Sequence, residues 1–135
     1  MSFLPSFDLL GDAFLHCISP IILLQILGST ALGIIFGCLP GLTATMGVAL
    51  LTTLTYGMDV FSALAILIAN FIGAVYGGSR SAILVNIPGT PAAAATALDG
   101  YPLAKQGRAQ YALSVATTAS FFGTLFGIII LLFIS

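Results

Sequence analysis

Residues 20–38 form an apolar run with Gln25 as its one strongly polar interior side chain, and runs of this length constrain the fold more than any other feature. A helix needs about 20 apolar residues to cross a hydrocarbon core of about 30 Å. Lipid offers no partners for backbone N–H and C=O groups, so a spanning segment must satisfy them internally, as a helix does. The pattern recurs at 60–76, with Asn70 in its middle, and at 111–134. An all-α integral membrane protein follows, with spans near 20–38, 60–76 and 111–134. Of the 135 residues, 59% are hydrophobic and 5% charged, whereas soluble domains carry about 25% charged residues.

Between these spans the chain is apolar yet broken. Leu39-Pro40-Gly41 interrupts first, because proline disfavours helix in the residue before it and glycine adopts backbone angles that other residues avoid. The run at 42–56 would make a helix of only about 22 Å, and its threonines suit a surface of protein or water better than lipid. Residues 39–56 are expected to form a half-helix or re-entrant arm. A turn is expected at 57–59, with Asp59 capping the next helix.

The stretch 76–100 reads YGGSRSAILVNIPGTPAAAATALDG. Gly77-Gly78-Ser79 is expected to break the helix, and Pro88-Gly89-Thr90-Pro91 to divide 77–98 into two short pieces. Such a discontinuous helix at membrane depth must be buried in protein or line a cavity. Asp99-Gly100-Tyr101-Pro102 reads as a turn. The fold class is therefore a polytopic helical bundle with broken or re-entrant helices, one membrane domain over 1–135.

Several functions are disfavoured. A net charge of −1 argues against nucleic acid as a partner, since phosphate binding needs clustered Lys and Arg. Cys17 and Cys38 lack any CxxC or Cys/His pattern and read as small buried hydrophobes. The single histidine, His16, has no second nitrogen ligand and reads as interfacial, so neither a metal site nor another cofactor is expected. Ser79 and Ser81 have no histidine placed to activate them, and catalysis is not expected. The first nineteen residues contain no Lys or Arg, which does not fit a basic-led secretory signal; residues 2–15 read as an amphipathic lead-in at the membrane surface. Lys105 and Arg108 place the 101–110 loop on the cytoplasmic side.

The candidate site residues lie at the breaks. Arg80 is either a structural residue at the interface or a ligand for a substrate carboxylate, whose geometry its planar fork of donors matches. Helix starts after Gly78 and after Pro88 would present unsatisfied N–H groups and partial positive charge to an anion. Carbonyls freed near Asn86 and Thr90 would suit a small cation. The first break offers Pro40, Gly41, Thr43 and Thr45; the second offers Gly77, Gly78, Ser79, Asn86, Pro88, Gly89 and Thr90. Asp99 reads first as a turn residue and second as an ion-coupling ligand, a role also assigned to Asn86 and Thr90. Gly33, Gly37 and Gly41, Gly73 with Gly77, and Gly123 with Gly127 repeat at four-residue spacing, which lets helix backbones approach closely in lipid.

LPGLTATMGVALL at 39–51 and YGGSRSAILVNIPGTPAAAATALDGYPLAKQGRAQYAL at 76–113, with the spacing between them, resemble the large membrane subunit of the tripartite tricarboxylate transporters, the TctA family. The likeness covers most of residues 30–127. It carries the family's Pro-Gly motifs onto Pro40-Gly41-Leu42 and 86–91, and its Gly-Gly-Ser motif onto Gly77-Gly78-Ser79. The resemblance implies a multi-pass carrier of the bacterial inner membrane, moving citrate or other carboxylates by symport with Na⁺ or H⁺. Its implied partners are the lipid bilayer, a small four-helix membrane subunit and a periplasmic solute-binding protein, with a second copy of the chain as a further candidate. Family subunits are several times longer, so the sequence reads as the N-terminal portion of one. The alternative is a truncated, non-transporting assembly module.

Overall fold

A computed structural model describes residues 17–134 together with Gly11 and Leu15, with all their side chains except that of Leu132. The lead-in expected at 2–15 lies outside the described residues apart from Gly11 and Leu15, as does His16. All regular structure among the described residues is helical: α1 (Pro20–Cys38), α2 (Ala44–Thr55), α3 (Val60–Val85), a 3₁₀ turn (Pro91–Ala93), α4 (Ala94–Leu103), a widened π turn (Ala104–Arg108) and α5 (Ala109–Ile134). Three helical stretches are long and apolar enough to cross a membrane: Pro20–Cys38, Val60–Val85 and Pro91–Leu131. The protein is an all-α, multi-pass membrane protein. At 12 residues, α2 is about 18 Å long, well short of a bilayer core.

Local chemistry sets the ends of these helices. Pro20 opens α1 in its first turn, where a missing N–H costs nothing. Leu39 leaves the helix with extended backbone, and Gly41 turns the chain at φ 93°. Thr43 Oγ1 then caps α2 by accepting from the Met46 N–H at 3.3 Å. Asp59 Oδ2 accepts from the Phe61 N–H at 3.1 Å, which is the capping role read from sequence. Asn86 ends α3 in the left-handed region, φ 60°, a conformation asparagine tolerates better than most residues.

The central packing unit is the parallel pair α1 and α3. Ser29 Oγ donates to the Ile66 carbonyl at 2.6 Å, and Cys38 Sγ donates to the Gly77 carbonyl at 3.4 Å. Between these contacts Gly33 and Gly37 lie against the backbone of Asn70 and Ala74, while Gly73 and Gly77 lie against that of Thr30 and Ile34. A Cβ on any of the four would strike a carbonyl oxygen of the opposite helix. Backbones this close gain dispersion and Cα–H···O contacts, the forces available to helices in lipid. Gly33 with Gly37 and Gly73 with Gly77 thus pack as read, whereas Gly41, expected on the first face, lies beyond the helix and meets nothing within 4 Å. Gly123 and Gly127 meet nothing within 4 Å.

Two expectations need correction. Gly77-Gly78-Ser79 does not break the helix, because α3 runs unbroken for 26 residues from Val60 to Val85. These glycines clear space for Ile34 and Thr90 and keep ordinary helical angles; the break comes instead at 86–90. Nor is Asp99-Gly100-Tyr101-Pro102 a turn: α4 continues through it with Pro102 inside the helix. Gly100 is there to admit Ile83, whose Cγ1 lies 2.6 Å from the place a Cβ would take. The change of direction falls at Gly107, φ 77°. From there α5 returns antiparallel to α3, with Thr117 Oγ1 3.4 Å from the Tyr76 hydroxyl.

Candidate functional site

The two Pro-Gly breaks lie at one end of the α1–α3 pair. Beside the C-terminal end of α1, Gly89 is pressed so closely against the Gly37 carbonyl that a Cβ would overlap it, and the same Cβ would lie 3.0 Å from the Gly78 Cα. The reciprocal contact is Thr90 over Gly78, where Thr90 Oγ1 and N stand 2.9 and 3.0 Å from the Cβ position. Gly37, Gly78 and Gly89 therefore form a three-way crossing of α1, α3 and the second break. One residue past Gly37, Cys38 leads into Leu39-Pro40-Gly41, the first break.

The second break also starts a helix. Thr90 precedes the 3₁₀ turn that leads into α4, yet its side chain does not cap it; the Ala93 N–H bonds the Thr90 carbonyl at 3.0 Å. Thr90 Oγ1 is turned inward, buried and without a hydrogen-bond partner. Buried hydroxyls are rarely left without a partner, which sets Thr90 apart from the other hydroxyls at the two breaks. At the first break Thr43 and Thr45 share a hydrogen bond of 2.7 Å, and Pro40 and Gly41 are exposed.

Not every candidate gathers here. With α3 continuous there is no helix start after Gly78, and the N–H donors expected there are spent within the helix. Arg80 lies two positions beyond Gly78, about 200° around the helix axis. It is exposed, bonds the Tyr76 hydroxyl and lies over the Tyr76 ring, 4.4 Å from its centroid. Ser79 Oγ returns to the Val75 carbonyl at 3.2 Å. Ser79 and Asp99 line a different cavity, of about 320 Å³ between α3, α4 and α5, with Thr96 and Tyr111 also on its wall. Asn86 and Pro88 are exposed at the rim of the second break. The structure thus unites Gly77, Gly78, Gly89 and Thr90 with the end of α1, and sets Arg80, Ser79 and Asp99 on other faces.

The sequence model of the family described as "Tripartite tricarboxylate transporter TctA family" matches residues 23–135. The chain belongs to the TctA family. A similar protein from Agrobacterium vitis, described as "Uncharacterized 52.8 kDa protein in TAR-I ttuC' 3'region", is 38% identical over 113 residues. That alignment covers 84% of this chain and 22% of the relative, so the chain spans about a fifth of its relative's length. No solved structure matches. The matched region of this TctA-family chain contains both breaks and every glycine of the three-way crossing.

Sequence reasoning passed over Asn70 as a polar residue in mid-span. It is fully buried, and neither its Nδ2 nor its Oδ1 has a partner. Its isolation in an apolar run was the available signal, since polar side chains inside membrane helices face protein or cavities. Gly47 was passed over as well, because nothing in the sequence places it against Asn70.

Proposed function

We propose that this TctA-family chain forms part of the membrane subunit of a secondary carrier for tricarboxylates and other carboxylates, driven by a Na⁺ or H⁺ gradient in the bacterial inner membrane. In this reading a periplasmic solute-binding protein delivers the substrate and a small membrane subunit completes the complex. The observation that carries it is the crossing of Gly37, Gly78 and Gly89, which seats the second Pro-Gly break against the end of α1 just before the first, within the region matched to the family. A helix start beside a buried unpartnered hydroxyl offers donors to an anion, and the carbonyls freed at the ends of α1 and α3 offer acceptors to a cation. Donors and acceptors at neighbouring helix ends are a setting in which an anion and a cation can be bound side by side.

The test is uptake of labelled citrate and other carboxylates into vesicles containing the complete subunit with its partners. Uptake is expected to need the binding protein and to collapse when the driving gradient is dissipated. Gly89→Leu is expected to abolish it. Carboxylate uptake that is indifferent to both gradients would refute the symport reading, and unchanged uptake in Gly89→Leu would refute the site.

A further inference from the structure

Among the described residues, Asn70 is fully buried and takes no part in the site described above. Asn70 carries two N–H donors and an acceptor oxygen, all buried and unpaired, whereas buried polar groups are almost always satisfied. Its side chain is aimed at the first turn of α2. Nδ2 lies 2.7 Å from the position a Cβ on Gly47 would occupy, and Phe36 Cδ2 closes the other side at 3.3 Å. The absence of a side chain on Gly47 is what lets the amide reach α2.

That first turn has donors of its own. Thr43 takes the Met46 N–H through its side chain and the Gly47 N–H through its carbonyl. The N–H groups of Ala44 and Thr45, the first two residues of α2, remain among those a helix start leaves without an intrahelical acceptor. They carry the partial positive charge of the helix end. A cation would meet N–H groups there; a carboxylate meets donors. The Asn70 amide adds an acceptor, Oδ1, which a carboxylate cannot use and a hydroxyl beside it can.

We propose that Asn70, with the first turn of α2, is a specificity-determining residue for hydroxy-carboxylates. Nδ2 and the N–H groups of Ala44 and Thr45 hold a carboxylate, and Oδ1 accepts from the neighbouring hydroxyl. The proposal rests on the carboxylate-carrier reading above. Asn70 is enclosed, so the proposal requires that the first turn of α2 part from α3 when the substrate binds.

The experiment compares KM for uptake of hydroxy acids and their deoxy analogues, citrate against tricarballylate and malate against succinate, in the complete carrier. A site that bonds a hydroxyl rejects the analogue lacking it, so wild type is expected to favour at least one hydroxy acid by roughly tenfold or more. Asn70→Ala is expected to bring that ratio within about threefold by raising KM for the hydroxy acid. Asn70→Ser, a smaller neutral change that puts a hydroxyl in place of the amide, is the second variant should Asn70→Ala fold poorly, and is expected to bring the ratio down by raising KM for the hydroxy acid. A merely structural role changes the amount of folded carrier and leaves the ratio alone. A ratio preserved in the variants, or a wild type blind to the hydroxyl, overturns the inference while leaving a carboxylate carrier standing. A wild type that moves no carboxylate at all overturns the carrier reading, and this inference with it.

Discussion

Adding one methyl group at Gly37 tests whether backbone contact between α1 and α3 holds the molecule together. A Cβ there would overlap the Ala74 carbonyl oxygen and lie 2.7 Å from its carbon and 2.8 Å from the Ala74 Cα. All three are backbone atoms, so no rotamer change relieves them, and α1 must move off α3. Overpacking of this kind costs about 1–3 kcal/mol, and the upper part of that range applies because the obstacle is rigid. Replacing a helical glycine returns about 0.5–1 kcal/mol of backbone entropy, so Gly37→Ala should cost about 2 kcal/mol net. Gly28 lies in the same helix and meets nothing within 4 Å; Gly28→Ala keeps the entropy gain without the clash. The two variants should therefore differ by about 3 kcal/mol. The assay is thermal unfolding in detergent, followed with a thiol-reactive dye in a Cys17→Ser background. Cys38 reports directly, because its thiol is bonded to the Gly77 carbonyl across the interface. Gly37→Ala is expected to melt several degrees below Gly28→Ala. Equal melting temperatures would refute the claim that the α1–α3 crossing is sterically closed.

Asp59→Ala removes the cap that accepts the Phe61 N–H and should cost about 1 kcal/mol of stability, read by the same melt; Asp59→Asn should recover most of it. Asn86→Val places a β-branched residue at φ 60° and should cost about 1–2 kcal/mol, while Asn86→Gly should be neutral or stabilising; both are checked by melting temperature and by uptake. Tyr76→Phe removes the hydroxyl shared by Arg80 and Thr117 but keeps the ring under Arg80. It should lower stability by less than about 1 kcal/mol, whereas Tyr76→Leu, which also loses the cation–π contact, should lower it further. For α2, labelling of Thr45→Cys and Tyr56→Cys by impermeant reagents is expected from the same side, as a re-entrant arm requires; labelling from opposite sides would make α2 a crossing.

The helices that could be read from sequence were those whose cause is local. The cap at Asp59 and proline at the start of α1 act within a few residues, the apolar length of 20–38 lies within one helix, and each appears as expected. Gly77 and Gly78 were misread because a glycine in a membrane helix has two meanings, a place to bend and a place to be touched. The atoms that decide between them belong to Ile34 and Thr90, outside the segment itself. Gly100 was misread for the same reason, its partner being Ile83. The helical period settles Arg80 once Gly77 to Ser79 is known to be helical, because a continuous helix turns residue 80 away from residue 78; the expected break concealed this. Asn70 stands out in the sequence as a polar residue in an apolar run, but that its amide lies against Gly47 becomes visible only when α2 packs on α3.

The parallel contact of α1 and α3 has a consequence for how the protein moves. Side chains at an interface can re-form their packing as helices slide, but an interface of glycine against carbonyl has no such slack. It has one good register, fixed at its two ends by Ser29 on Ile66 and by Cys38 on Gly77. The pair then behaves as a single beam. A load on one helix is then carried by both, and the second break shares in it, because Gly89 rests against the Gly37 carbonyl as closely as the two helices rest on each other.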